Sequence, residues 1–187
     1  MSRLDRKATR EWFGSFKGGM MFYLGCHLVD LVLQLQGMPT KVIPLNTATG
    51  LEGVDTEDMG FAVLQYPNAI SVIRMGGTEV GGFHRRQLVV CGSERTVEIC
   101  PLEEGVPDAT AKYMNTVGKT ERFLDSERHT VSEHEKSEPF QRYEEMLFAF
   151  AAMVRGEKEN PYTLDYELAL YRTILECCGV KLEKKKQ

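Results

Sequence analysis

Tyr23, His27, Asp30 and Gln34 are the polar side chains of an otherwise apolar stretch, and their spacing could do chemistry. At about 100° per residue the four fall within an arc of roughly 60° on a helix. Every other position from Met20 to Leu35 is Met, Phe, Leu, Val, Gly or Cys. A helix apolar on nearly all sides is expected to be buried, and its polar groups then need partners. Two readings stay open from these residues alone. In one, His27 and Asp30, three apart, hydrogen-bond each other and pin a core helix. In the other, Asp30 orients the imidazole, His27 exchanges protons with a ligand hydroxyl, and Tyr23, one turn earlier, donates to it.

The elements that must position this stripe follow from the rhythm of the chain. Residues 4–14 predict a short amphipathic helix with Leu4, Ala8 and Trp12 on one face. The apolar helix then runs from about Met20 to Gln36, stopped by Gly37 and barred from continuing by Pro39. From Thr40 to Leu102 five short β-branched runs predict strands, with tight hairpins at "YPNA" (66–69) and "CGSERT" (91–96). "AKYMNTV" and "ERFLDSE" read as further strands, and "HTVSEHEKSEP" as a loop. Two helices close the chain, the second capped by Thr163. Consecutive hairpins predict an α+β fold, a mainly antiparallel open sheet with helices on one face.

Composition narrows the partners. The 187 residues are expected to form one domain, and their formal net charge is −4 with both signs interspersed. No basic face points to nucleic acid. Lys181, Lys184, Lys185 and Lys186 form the one basic run, read as a solvated end. Five cysteines, without a C-x-x-C or a secretory signal, predict free thiols and a reducing, cytoplasmic setting. The longest apolar stretch is too short and too polar to span a bilayer comfortably, so no membrane is expected. His129 and His134 sit in a charged segment and read as solvated, and no spaced ligand set predicts a metal.

The stretch "GGMMFYLGCHLVDLVLQLQGMP" (18–39) resembles a signature of the glucose–fructose oxidoreductase / inositol dehydrogenase / rhizopine-catabolism (Gfo/Idh/MocA) family. That pattern, roughly G-G-x-L-x-D-x-G-x-H-x-x-D followed by L-x-G-x-P, opens the family's C-terminal domain. Gly18, Gly19, Gly25, His27, Asp30, Leu35, Gly37 and Pro39 match it. "VDTEDMGFAVLQYPNAISVI" and "RRQLVVCGSERTVEICPLE" resemble later segments of the same domain in the same order.

The resemblance implies a dihydrodipicolinate-reductase-like α+β domain that closes over a sugar, polyol or related hydroxy compound. It implies that His27 is catalytic, that Tyr23, Phe83 and His84 line the substrate pocket, and that Asp30 is structural support. It further implies NAD or NADP on an N-terminal Rossmann domain, and a homo-oligomer paired through the open sheet face.

Two departures qualify this. No G-x-G-x-x-G follows a strand, and the family's E-K-P segment is not matched by "EKSEP" (135–139). The Rossmann domain is therefore expected to be absent from this chain, which alone binds no cofactor. Tyr23 also stands where the pattern has aspartate, and a phenol lacks a carboxylate's charge at neutral pH. A stand-alone, non-catalytic dimerisation or sugar-binding module, or an NAD-assisted glycosidase relative, are the alternatives.

Overall fold

The structure is a computed structural model and describes residues 2–107, 113–141 and 143–182. Lys184 to Lys186, most of the basic run noted above, lie outside the described residues, as do Ala111 and Lys112 of "AKYMNTV". The chain divides into two compact units. One joins the residues up to Gly82 with those from Tyr162 onward, and the other holds Phe83–Pro161.

The first unit opens with α1 (Lys7–Phe13), as expected, but a different face turns inward. Leu4 and Trp12 are about half exposed, whereas Arg10 and Phe13 are fully buried. The four-residue apolar spacing misled because the interior offers Arg10 a partner. Its guanidinium donates to Asp58 Oδ2 (3.2 Å) and to the Leu51 carbonyl (3.0 Å), and it pairs with Glu52. Asp58, equally buried, also accepts from the Thr49 N–H (2.8 Å) and hydroxyl (3.0 Å). Arg10 Nε is left without a hydrogen-bond partner, so the burial of this ion pair rests on the bonds made by the two terminal guanidinium nitrogens and by the Asp58 oxygens.

Gly18 and Gly19 carry positive φ, which turns the chain into the apolar helix, and the Met20 N–H donates to the Glu57 carbonyl (2.8 Å). The helix begins with a π-helical segment, Met21–Gly25, and continues as α2 (Cys26–Gln36). Gly37, at φ 74°, stops it, and its N–H donates to the Leu33 carbonyl (2.8 Å). Met20, Met21, Val29 and Leu33 are buried, but Leu35 and Met38 are about half exposed. The helix is thus buried on one side, not on all sides as its composition predicts. Within its unit, the three-stranded sheet, the final helix and the aromatic side chains of α1 cover it on part of its circumference.

That sheet holds β1 (Lys41–Pro44), β2 (Met59–Gln65) and β3 (Ile70–Gly76), antiparallel in that order. The expected hairpin at 66–69 joins β2 to β3, with the Tyr66 N–H donating to Ala69 (2.9 Å). The strand period of two sends Ala62, Leu64, Ile73 and Met75 inward. The final helix completes this core with Ile174, Cys177 and Cys178. Each large side chain so buried stabilises by about 1.5–3 kcal/mol.

The second unit contains β4 (Leu88–Cys91), β5 (Arg95–Ile99), β6 (Glu104–Pro107), β7 (Tyr113–Thr116), β8 (Gly118–Leu124), β9 (Thr130–Lys136) and the helix α3 (Glu144–Val154). The strands pair antiparallel as β4-β5-β8-β9 and β6-β7. The hairpin expected at 91–96 joins β4 to β5. "HTVSEHEKSEP" is not a loop: most of it is β9, in register with β8 from Leu124↔Thr130 to Gly118↔Lys136. It is an edge strand with largely exposed polar side chains, so it carries no apolar alternation. His134 belongs to β9 and shares a 2.9 Å hydrogen bond with the Thr120 hydroxyl, while His129 stands near Asp125.

The final helix, α4 (Leu164–Cys177), returns to the first unit. Thr163 caps it, its hydroxyl accepting from the Tyr166 N–H (3.2 Å). The fold class is α+β and antiparallel as expected, with the named strands arranged in three sheets among the described residues.

Candidate functional site

Asp30 on α2 and Tyr166 on α4 are joined across the two helices. The Tyr166 hydroxyl donates to Asp30 Oδ1 at 2.6 Å, and Gln34 Nε2, one turn further along α2, donates to Oδ2 at 2.9 Å. Burial disfavours the phenolate, and the bond to Asp30 adds to this, so the Tyr166 hydroxyl is pushed up to about 12. The proton therefore stays on the phenol and is committed to the carboxylate.

His27 lies one turn before Asp30 on the same helix and is exposed. Its ring makes no hydrogen bond with Asp30, so the intrahelical pairing considered from the sequence is replaced by a tie between helices. Both residues line an open cleft of about 300 Å³. Glu167 and Tyr162 of the α4 side complete its polar wall, with Leu170 and Ile174 as apolar floor. An unpartnered imidazole, two carboxylates and an aromatic ring around a small apolar floor suit a compact ligand rich in hydroxyls.

Tyr23 does not share this cleft. Its ring packs 5.1 Å from Phe13 and 5.4 Å from Trp12, with the Arg3 guanidinium 5.2 Å from its centroid. Tyr23 lies in the π-helical segment, and its ring is held by the aromatic side chains of α1 instead.

Phe83 and His84 belong to the second unit, in its opening 3₁₀ turn (Gly82–Arg85). The Arg86 guanidinium lies 4.2 Å over the Phe83 ring, and the His84 ring meets Phe83 edge-on at 6.1 Å. Sequence reasoning missed Tyr162, Tyr166 and Glu167. A signal was present in Y-x-x-x-Y at 162–166, which places two phenols one turn apart; their rings are 6.3 Å apart.

Among the described residues no group of three or more His, Cys, Asp or Glu side chains stands where it could hold a metal ion. A dinucleotide is bound where a parallel strand runs through a glycine-rich turn into a helix N-terminus. Every named ladder here is antiparallel, and the glycines at 76–77 and 81–82 end β3 and lead into the 3₁₀ turn. The described residues do not fit a nicotinamide dinucleotide.

The family model described as GFO/IDH/MocA C-terminal domain matches residues 2–98. No curated protein sequence matches the chain. Among solved structures, a candidate NADPH-dependent oxidoreductase from Desulfitobacterium hafniense aligns with TM-score 0.68 at 16% identity, over 94% of this chain and 50% of that one. A candidate oxidoreductase from Yersinia pestis aligns with TM-score 0.65 at 18% identity, over 96% and 52%. One from Klebsiella pneumoniae aligns with TM-score 0.60 at 20% identity, over 96% and 49%. The chain thus spans about half the length of the solved structures it matches. Among the described residues, no helix is long and apolar enough to cross a membrane.

Proposed function

Because the chain belongs to the GFO/IDH/MocA C-terminal domain family, we propose that it is the substrate-holding part of an NAD(P)-dependent oxidoreductase acting on a sugar, polyol or related small hydroxy compound. The dinucleotide then belongs to a Rossmann domain outside this chain. The observation that carries this reading is the exposed, unpartnered imidazole of His27 on the cleft it shares with Asp30. Oxidation of an alcohol releases the hydroxyl proton as the carbon–hydrogen electrons leave. His27 is the group in the cleft with a free nitrogen lone pair to accept that proton. Tyr162 offers a ring face against ligand carbons, and Glu167 accepts from further hydroxyls.

The test follows the ring resonances of His27 in the whole chain during titration with myo-inositol or D-glucose, beside a parallel titration with NADH and NADPH. Saturable shifts at millimolar polyol, with no dinucleotide binding, are expected. Dinucleotide binding by this chain would remove the division of labour, and an indifferent His27 would remove the substrate role.

A second reading, a non-catalytic sugar-binding or dimerising module, is favoured by Tyr23. It replaces the family's aspartate and is packed among aromatic rings instead of facing His27. Pairing of two copies through the open face of the first unit's sheet, where Val72 is about half exposed, is proposed under either reading.

A further inference from the structure

The reading of the cleft above leaves Tyr166 without a role, yet the hydroxyl of that residue makes the shortest bond in its wall. The carboxylate it binds has no freedom to turn, because Tyr166 holds Oδ1 from α4 and Gln34 holds Oδ2 from α2. Each carboxylate oxygen accepts about two hydrogen bonds, so Asp30 keeps one acceptor position on each oxygen after both ties are made. Those positions belong to a side chain lining the cleft. His27 lines the same cleft three residues earlier, and residues at that spacing stand roughly 5–6 Å apart at Cβ. Two acceptors so placed match two hydroxyls on adjacent carbons.

We infer that Tyr166 is a positioning residue that fixes Asp30 beside His27, so that the pair selects ligands carrying vicinal hydroxyls. This rests on the proposed substrate-holding role of the cleft. His27 takes the hydroxyl at the reacting carbon, and Asp30 accepts from its neighbour. No other described side chain bonds the Asp30 carboxylate, so loss of the Tyr166 hydroxyl leaves only Gln34, from the same helix, to orient it. The phenol keeps its proton throughout the neutral range, which suits a fixed donor and not a proton carrier.

The test compares cis-cyclohexane-1,2-diol with cyclohexanol, read as His27 ring shifts in the whole chain, for the unaltered protein and for Tyr166→Phe and Asp30→Asn. The unaltered chain should favour the diol. Tyr166→Phe should reduce that preference about tenfold while leaving cyclohexanol binding unchanged, as expected for one hydrogen bond to a charged group. Asp30→Asn keeps an acceptor for Tyr166 and the bond between helices, and should also lose the diol preference. Thermal melting of each variant reports folding separately. Equal weakening of both compounds by Tyr166→Phe, or a retained preference in Asp30→Asn, would overturn the inference and leave the cleft's role intact. If neither compound perturbs His27 in the unaltered chain, the parent reading falls and this one with it.

Discussion

At Asp30 the character of the site is set by which partner its carboxylate takes. A bond to His27 would have occupied one of the two imidazole nitrogens. The bond to Tyr166 leaves the imidazole open. The same bond makes a pH prediction. The folded Tyr166 hydroxyl lies near 12, above the ordinary 10 of the unfolded chain, so its contribution is full below about pH 10 and disappears as pH rises through 12. Buried Cys177 and Cys178, also pushed up to about 12 by burial, act in the same direction from about pH 9. Urea midpoints should therefore fall steadily from pH 9 upward, and Tyr166→Phe should flatten the portion between pH 10 and 12. An equal slope in the variant would mean that the phenol ionises alike in both states. His27 and Asp30 were legible in the sequence as one polar face. The role of Tyr166 was not, because Y-x-x-x-Y at 162–166 marks two neighbouring phenols and says nothing of a carboxylate 136 residues away.

Among elements, the segment linking β1 to β2 depends most on a single side chain. Arg10 of α1 gathers Leu51, Glu52 and Asp58 about one guanidinium, and Thr56 returns a hydroxyl hydrogen bond to the Arg10 carbonyl (2.6 Å). Arg10→Met should cost about 3–5 kcal/mol in urea unfolding, because it strands the buried Asp58 charge. The double variant with Asp58→Asn should recover part of that loss, and failure to recover any would assign the cost to packing instead. Gly18 shows how closely the elements meet: a Cβ there would collide with Cys178 of the final helix. The element order, both hairpins, the Gly37 stop and the Thr163 cap were legible, since each is written in local turn or cap chemistry. β9 was not, because an edge strand is held by its ladder and shows no apolar alternation. The π-helical segment was likewise hidden, as apolar residues spaced for an α-helix fit either geometry.

For the whole molecule, burial is divided unequally. Every buried hydrophobic side chain among the described residues belongs to the first unit, from Phe13 to Cys178. The second unit buries Arg86, Asn115 and Thr116, while α3 leaves Met146, Leu147, Phe148 and Phe150 more than half exposed. Opening free energy follows buried apolar contact, so amides of β2 and β3 should exchange slowest and those of β4, β5, β8 and β9 markedly faster. Equal protection in both sheets would show that the second unit is held by more than its own packing. A single domain is what length and composition predict; division into units depends on which apolar faces meet, and composition does not encode that.

The bond between Asp30 and Tyr166 also orders events in time. Its two ends are 136 residues apart, and a ribosome adding about 5–20 residues per second needs about 7–27 s to pass from one to the other. Through that interval α2 has emerged without Ile174 and Cys177 to cover its inner side, and His27 has no cleft to line. The cleft between α2 and the start of α4 therefore exists only once the last helix has been made, and a nascent chain stalled before Tyr166 lacks one of its two walls.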